Sequence, residues 1–202
     1  MNVDRLPSII EHNKLLCDAE IVKLKLPGTT IGMGSIKARR LQLPVTCYSN
    51  AMVGDFVPFY FCPRSVMLYV IHCANSSELT YRGGQEPIVH LEADLNRVIQ
   101  WADQHKHSWA FSGSNAGAAY TQFWKDTARL KQLNWQHISA EQWAGAEVKE
   151  AKQAEFLMYQ HFPWHLVERI GVYSKGVFNS VATALIKATH KPLVQILPAW
   201  YY

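Results

Sequence analysis

The chain has 202 residues, of which 49% are hydrophobic and 12% aromatic. This length and composition predict a single folded domain over residues 1–202 and exclude an intrinsically disordered protein. The formal net charge of +4 suits a polyanionic partner without requiring one.

The cysteines and the apolar runs limit the class of protein further. Cys17, Cys47, Cys62 and Cys73 form no CxxC pair, so neither a zinc site nor a disulfide framework is predicted. The chain contains no apolar run near the roughly 18 residues that span a bilayer, and no secretory signal pattern. We therefore expect a cytoplasmic protein with reduced thiols, no metal and no membrane partner.

The first forty residues predict short elements. Asp4 and the apolar residues after Pro7 predict a capped helix that ends near Cys17. Residues 21–26 predict a strand that stops at the turn Pro27-Gly28. A glycine-rich segment then enters a short basic helix capped by Ser35.

The basic residues of that helix have two interpretations. Lys37, Arg39 and Arg40 are typical of a solvated face, the alternative being a functional one. Spacing alone favours the solvated face.

Residues 54–65 have the most unusual composition in the chain. Aromatic and β-branched residues between two prolines predict a strand, with Pro58 at a sheet edge or a bulge. Ser65 is predicted to cap a helix over residues 66–71. Arg64 lies at the strand-to-helix turn, which makes it a candidate phosphate contact.

The middle of the chain alternates between strand and helix patterns. The predicted elements are a strand at 88–91, a helix at 94–104, a strand at 109–111, a polar loop at 112–117 and an amphipathic helix at 120–133. The loop either borders a site or is a plain connection. The amphipathic helix carries Lys125, Arg129 and Lys131, and an ordered loop is expected over residues 135–147.

The segment around Glu155 is compatible with two structures. At period two, Glu155, Leu157 and Tyr159 share one face of a buried strand, whereas at period 3.6 residues 148–162 form a helix. A strand at 167–173, a helix at 177–188 and a strand at 193–197 complete an α+β domain.

Short sequence blocks are spread over nearly the whole chain. They lie at residues 31–40, 55–65, 83–87 and 153–157 and at the terminal Trp200-Tyr201-Tyr202. In these blocks and their order, the chain resembles the DarT family of DNA ADP-ribosyltransferases, the toxins of DarT–DarG toxin–antitoxin systems. The resemblance implies an ADP-ribosyltransferase-like split β-sheet with flanking helices, and NAD bound as a substrate in its cleft. It also implies transfer of ADP-ribose to a base of single-stranded DNA, in the better-known subgroup a thymine ring nitrogen.

The resemblance also implies catalytic residues. Glu155 matches the acid of the family's Gln-Ala-Glu-Phe-Leu block, which favours the strand interpretation. Arg40 matches the second arginine of the family's arginine pair, and Tyr60 its strand tyrosine. A carboxylate near the ribose stabilises the oxocarbenium-like centre that forms when nicotinamide leaves. A guanidinium stabilises negative charge on the attacking base, but it is an improbable free base.

Further site residues are expected at the two ends of the cleft. Tyr60, Arg64 and Arg5 are candidates for binding NAD; Arg5 stands where the family commonly has asparagine, so we expect this end of the NAD site to differ. Asn115, Lys125 and Arg129 are candidates for contacting DNA. The implied partners are single-stranded DNA and a macrodomain antitoxin of the DarG type. The alternative to an active transferase is a catalytically impaired module of the same fold that binds single-stranded nucleic acid without modifying it.

Overall fold

The computed structural model describes residues 1–142 and 144–202. The strands are β1 Lys14–Leu16, β2 Phe56–Tyr60, β3 His90–Glu92, β4 Trp109–Asn115, β5 Phe123–Trp124, β6 Ala154–Tyr159, β7 His161–Pro163, β8 Arg169–Val172 and β9 Leu193–Ile196. The helices are α1 Leu6–His12, α2 Asp18–Leu24, α3 Gly34–Arg40, α4 Val66–Cys73, α5 Leu95–Gln104, α6 Trp135–Ser139, α7 Ala146–Ala151 and α8 Lys175–Ala184. No helix within the described ranges combines the length and the apolar character that crossing a bilayer requires.

The strands form separate sheets that meet around a shared core. A four-stranded antiparallel sheet has the order β2-β6-β4-β5, and a three-stranded sheet has the order β3-β8-β9, with β8 and β9 parallel. Strands β1 and β7 form an additional antiparallel pair. Helices flank these sheets, and the predicted α+β class is confirmed.

Strand β6 is the centre of the larger sheet. Its apolar residues alternate between two hydrophobic clusters, because successive side chains of a strand point to opposite faces. Phe156 and Met158 pack in one cluster with Trp164, while Leu157 packs in the other with Phe56. The strand interpretation of this segment is confirmed, and the helical one was wrong.

Several local predictions are confirmed by the contacts that they require. Strand β2 is the edge of its sheet, so Pro58 removes a backbone donor only where the sheet ends. The Ser65 hydroxyl accepts the Leu68 N–H at 3.2 Å and so caps α4. The Asp94 carboxylate caps α5 by accepting the Arg97 N–H at 2.8 Å.

The predicted strand at 21–26 was wrong, and so was the length of the first helix. Residues 21–24 belong to α2, whose first turn carries Asp18 and Glu20, the charges that favour a helix N-terminus. Helix α1 ends at His12 because Asn13 adopts a left-handed conformation with φ of 53°. Leu15 therefore lies in β1, not in a helix.

The predicted helix at 120–133 was also wrong. Phe123 is buried in a core cluster and pairs with Ser112 of β4, which places this part of the chain in β5. A 3₁₀-helix, Thr127–Gln132, follows, and Asp126 caps it by accepting the Ala128 N–H. Tertiary burial of Phe123 overrides the helical periodicity.

Two smaller predictions need correction. The expected loop over residues 135–147 contains α6 and the start of α7, and its Trp143 lies outside the described residues. Ser35 does not cap α3, because the helix begins at Gly34 and its N-cap residue is Met33, without a side-chain cap. The Ser35 hydroxyl instead donates to Glu78 Oε2 at 2.6 Å.

The C-terminal residues attach to the smaller sheet through a buried tyrosine. The hydroxyl of Tyr201 lies 2.7 Å from the Ile88 carbonyl oxygen and 3.1 Å from that of Gly171. Tyr201 is 4% exposed, so water does not replace this donor. Desolvation of the phenol raises the pKa of Tyr201 above its ordinary value.

We expect Tyr201→Phe to lower the free energy of unfolding by about 1–2 kcal/mol, because it leaves buried carbonyl groups without their donor. Urea denaturation measures this difference. The matched control is Tyr120→Phe, since Tyr120 is 74% exposed and should tolerate the change. An equal loss in both variants would contradict the assignment.

Candidate active site

The local structure of the larger sheet sets the position of Glu155. The pairing of β4 with β6 shifts register between Phe111 and Asn115, opposite Glu155. At this bulge the Ser112 hydroxyl accepts the Glu155 N–H at 3.1 Å and donates to the Ser114 carbonyl oxygen at 2.7 Å. A side chain thus supports the backbone of Glu155 where the regular ladder is interrupted.

Arg40 and Glu155 form a buried ion pair although 115 residues separate them in the chain. Arg40 Nη1 lies 2.9 Å from Glu155 Oε1, and Arg40 Nη2 lies 2.9 Å from Glu155 Oε2. The residues are 8% and 2% exposed. Desolvation opposes the charge of the guanidinium, but the carboxylate outweighs it and raises the pKa of Arg40.

This ion pair lies in a cavity of about 410 Å³, within the usual range for small-molecule sites. The polar or charged residues that line the cavity beside the pair include Arg5, Tyr60, Asn115 and Gln153. Tyr60 faces Glu155 across the β2–β6 ladder. Desolvation of the phenol and, after it, the Glu155 carboxylate raise the pKa of Tyr60.

A larger cavity of about 590 Å³ adjoins the first one. It shares Tyr60 and Pro58 with the smaller cavity, but its lining consists mainly of apolar side chains such as Phe59 and Phe162. Within the described ranges, Arg40 and Glu155 belong to the lining of the smaller cavity alone. We therefore place the candidate active site in the smaller cavity.

Three further residues predicted for the site are at this cavity. Arg5 is held by the carbonyl oxygens of Gly28 at 2.8 Å and Thr29 at 3.0 Å. Tyr60 and Asn115 also line the cavity. The structure thus brings Arg5, Tyr60 and Asn115 together with the ion pair.

The other predicted residues lie elsewhere. The Arg64 guanidinium stacks on Tyr202, 4.5 Å from the ring centroid, and is not among the described lining of either cavity. Lys125 Nζ lies 4.7 Å above the Tyr48 ring, just after β5. Arg129 is exposed on a 3₁₀-helix. Because no amphipathic helix forms here, Lys125 and Arg129 do not share a helical face.

Sequence reasoning missed two residues of the site. Gln153 lines the cavity, and its spacing of two from Glu155 was a signal for a common face. Ser112 lay in the polar loop at 112–117 that was open between bordering a site and a plain connection, and its contact with Glu155 depends on a register shift between strands. Among the described residues, no three His, Cys, Asp or Glu side chains are grouped to hold a metal ion.

Comparison with known proteins identifies relatives over the whole chain. The family model described as "ssDNA thymidine ADP-ribosyltransferase, DarT" matches residues 1–202. The DNA ADP-ribosyl transferase of Thermus sp. (strain 2.9) is 36% identical over 206 residues, covering 100% of this chain and 93% of that protein. That of Thermus aquaticus is 39% identical over 174 residues, covering 85% and 74%.

Solved structures agree with this result. Thermus sp. 2.9 DarT in complex with ADP-ribosylated ssDNA aligns with a TM-score of 0.89 at 35% identity, over 100% of this chain and 93% of that one. The same protein in complex with NAD+ aligns with a TM-score of 0.80 at 34% identity, over 100% and 94%. Thermosipho africanus DarTG in complex with ADP-ribose aligns with a TM-score of 0.75 at 18% identity, over 100% of this chain and 49% of that one. At this identity the match shows the fold alone.

The expected split-sheet ADP-ribosyltransferase fold is therefore confirmed. With the family model matching its full length and these relatives above 30% identity, the chain belongs to the DarT family of DNA ADP-ribosyltransferases.

Proposed function

We propose that this protein transfers ADP-ribose from NAD to a thymine of single-stranded DNA, with Glu155 and Arg40 as its catalytic residues. The observation that carries the proposal is the buried bidentate contact between these side chains in a nucleotide-sized cavity. The relatives support the substrates, since the Thermus sp. 2.9 protein was solved with NAD+ and with ADP-ribosylated ssDNA.

The lining of the cavity fits NAD as a substrate. The Arg5 guanidinium, fixed by backbone carbonyls, offers a charge for the pyrophosphate. Tyr60 offers an aromatic ring, and its protonated hydroxyl is a hydrogen-bond donor. We assign Arg5 and Tyr60 to NAD binding on this basis, whereas the position of Arg64 gives its predicted role no support.

Glu155 acts on the ribose in this mechanism. The bond between C1′ and the nicotinamide nitrogen breaks with its electron pair leaving on nicotinamide, and C1′ develops positive charge. A fixed carboxylate beside C1′ stabilises that charge where it forms. Arg40 engages both Glu155 oxygens, and each oxygen keeps a further lone pair that can face the ribose.

Arg40 acts on the base. A thymine ring nitrogen attacks C1′ and gives up its proton to solvent as the new bond forms. The guanidinium stabilises the negative charge that develops on the base. The raised pKa of Arg40 means that it donates hydrogen bonds and does not accept the proton.

A single strand is the form of DNA that suits the site, because it presents an unstacked base without the cost of opening a duplex. We assign Asn115, at the cavity, to the base. Lys125 and Arg129 are exposed cations and are assigned to the DNA backbone. Their contribution should weaken as salt concentration rises.

The biological role and partner follow from family membership. We propose that the protein is the toxin of a toxin–antitoxin pair and acts in the cytoplasm, where DNA is available. Its partner is a macrodomain antitoxin of the DarG type that removes the ADP-ribose. Treating labelled DNA with such a macrodomain tests this part, since a mark that resists removal would count against the partner.

Glu155→Gln should reduce labelling of thymine-containing oligonucleotides by roughly 10²–10³-fold, because the neutral amide does not stabilise the cationic transition state. Mass spectrometry of oligonucleotides incubated with NAD detects the gain of one ADP-ribose.

The matched control for that change is Glu150→Gln, an exposed carboxylate of α7, which should label as the wild type does. If Glu155→Gln labelled the oligonucleotides as fast as the wild type does, Glu155 would not be a catalytic residue. Salt-sensitive DNA binding by the wild type without any adduct would select the impaired binding module instead.

Ser112→Ala should lower kcat about tenfold and leave KM for NAD nearly unchanged, because Ser112 positions Glu155 and touches no substrate in this account. Ser112→Thr, which keeps the hydroxyl, should restore much of the rate. Steady-state kinetics and urea denaturation separate positioning from folding. If Ser112→Thr lost as much kcat as Ser112→Ala while remaining stably folded, the hydroxyl of Ser112 would not be what positions Glu155.

A further inference from the structure

A cysteine and a buried lysine lie in contact at one end of the larger sheet. Lys152 Nζ lies 3.9 Å from Cys62 Sγ, although 90 residues separate them in the chain. Cys62 follows the end of β2, and Lys152 precedes the start of β6. Because these strands pair antiparallel, with Tyr60 opposite Glu155, the same register brings the two side chains together.

Lys152 is an unusual residue to bury. It is 3% exposed, and among the described residues no carboxylate lies within ion-pair distance of its ammonium group. Its Nζ donates to the Ile138 carbonyl oxygen at 3.0 Å and contacts the Cys62 sulfur. Lysines are almost never fully buried without a charged partner, so this contact needs a reason beyond packing.

Cys62 is open to small reagents. It is a free, half-buried thiol, and it belongs to the lining of the larger cavity of about 590 Å³, which a molecule of the size of hydrogen peroxide can enter. Desolvation raises the pKa of the Cys62 thiol, and the Lys152 ammonium opposes that rise. The ammonium therefore favours the thiolate, which is the form that a peroxide oxidises.

We infer that Cys62 and Lys152 form an oxidative modification site, at which a peroxide joins the two side chains through a covalent sulfur–nitrogen bond. The inference goes beyond the proposed function and does not depend on it. A sulfur and an amine in direct contact, with the sulfur reached from a cavity and the amine shielded from water, are the arrangement that such a cross-link requires.

The reaction balances in two steps. The Cys62 thiolate attacks one oxygen of hydrogen peroxide and becomes a sulfenic acid, while the other oxygen leaves as hydroxide and takes up a proton. The Lys152 ammonium gives one proton to solvent, and its nitrogen attacks the sulfur. The sulfur–oxygen bond breaks, and the oxygen leaves as water with a second proton from the nitrogen. Two electrons pass from sulfur to the peroxide.

The cross-link would change how α6 is held. The ammonium that donates to the Ile138 carbonyl carries a charge and three N–H groups, whereas the nitrogen of the cross-link is neutral and keeps one. Ile138 lies in α6 and is 3% exposed, so its carbonyl would lose a charge-assisted hydrogen bond in a buried place. Oxidation would thus tie β2 to β6 covalently and weaken their contact with α6.

The test treats the wild-type protein with hydrogen peroxide, blocks the remaining thiols with an alkylating reagent and digests the protein without reduction. Tandem mass spectrometry should find the peptides that carry Cys62 and Lys152 joined, lighter by two hydrogen atoms than the two together. Trypsin should no longer cleave after Lys152, because that side chain has lost its charge. Treatment with dithiothreitol should separate the peptides, since a thiol reduces the sulfur–nitrogen bond.

Three variants identify the atoms involved. Lys152→Arg keeps a cation beside the sulfur but removes the amine, so Cys62 should stop at the sulfenic acid, which dimedone traps. Cys62→Ser should give no cross-link and normal cleavage after Lys152. The matched control is Cys73→Ser, which removes another half-buried thiol and should leave the cross-link intact.

Three results would overturn the inference. The first is a treated wild type in which Cys62 is oxidised but never joined to Lys152. The second is a linked peptide that persists in Cys62→Ser, since it would not involve this sulfur. The third is a Cys62 that stays a free thiol at peroxide concentrations that oxidise Cys73.

Discussion

The buried contact between Arg40 and Glu155 is the constraint on which the rest of the site depends. Removing two charges from water costs several kcal/mol per ion, and a buried pair often adds little net stability. Such a pair is therefore better explained by function than by folding. It joins the end of α3 to the central strand of the larger sheet. Both elements must be placed within tenths of an ångström for the two bonds to form.

The sheet provides that precision through an irregularity. In a regular β4–β6 ladder a backbone carbonyl oxygen, not a side chain, would accept a backbone N–H such as that of Glu155. The shift between Phe111 and Asn115 brings in Ser112 and, at its other end, places Asn115 beside Gln153. One bulge thus supports the backbone of Glu155 and also sets the position of an amide pair that lines the cavity.

Periodicity left the segment around Glu155 open between strand and helix, and the family blocks favoured the strand that the structure shows. The same blocks pointed to Glu155, Arg40 and Tyr60, which the structure brings to one cavity. Prediction failed for α2 and for residues 120–133, where capping charges and the burial of Phe123 decide the structure. Ser112 lay in the predicted polar loop at 112–117, but its contact with the Glu155 backbone could not be predicted, since a register shift between distant strands has no local signature. Arg64 looked suitable by position in the chain, but it stacks on Tyr202.

The most direct test of the central claim is NMR of the ¹⁵N-labelled arginine side chains during titration with the non-hydrolysable analogue carba-NAD+. If the ion pair is where NAD binds, the guanidinium signals of Arg40 should change as Glu155 engages the ribose. Those of Arg97, which pairs with Glu168 at the surface, should remain as they were. Saturating ligand that leaves the Arg40 signals unchanged would contradict the account.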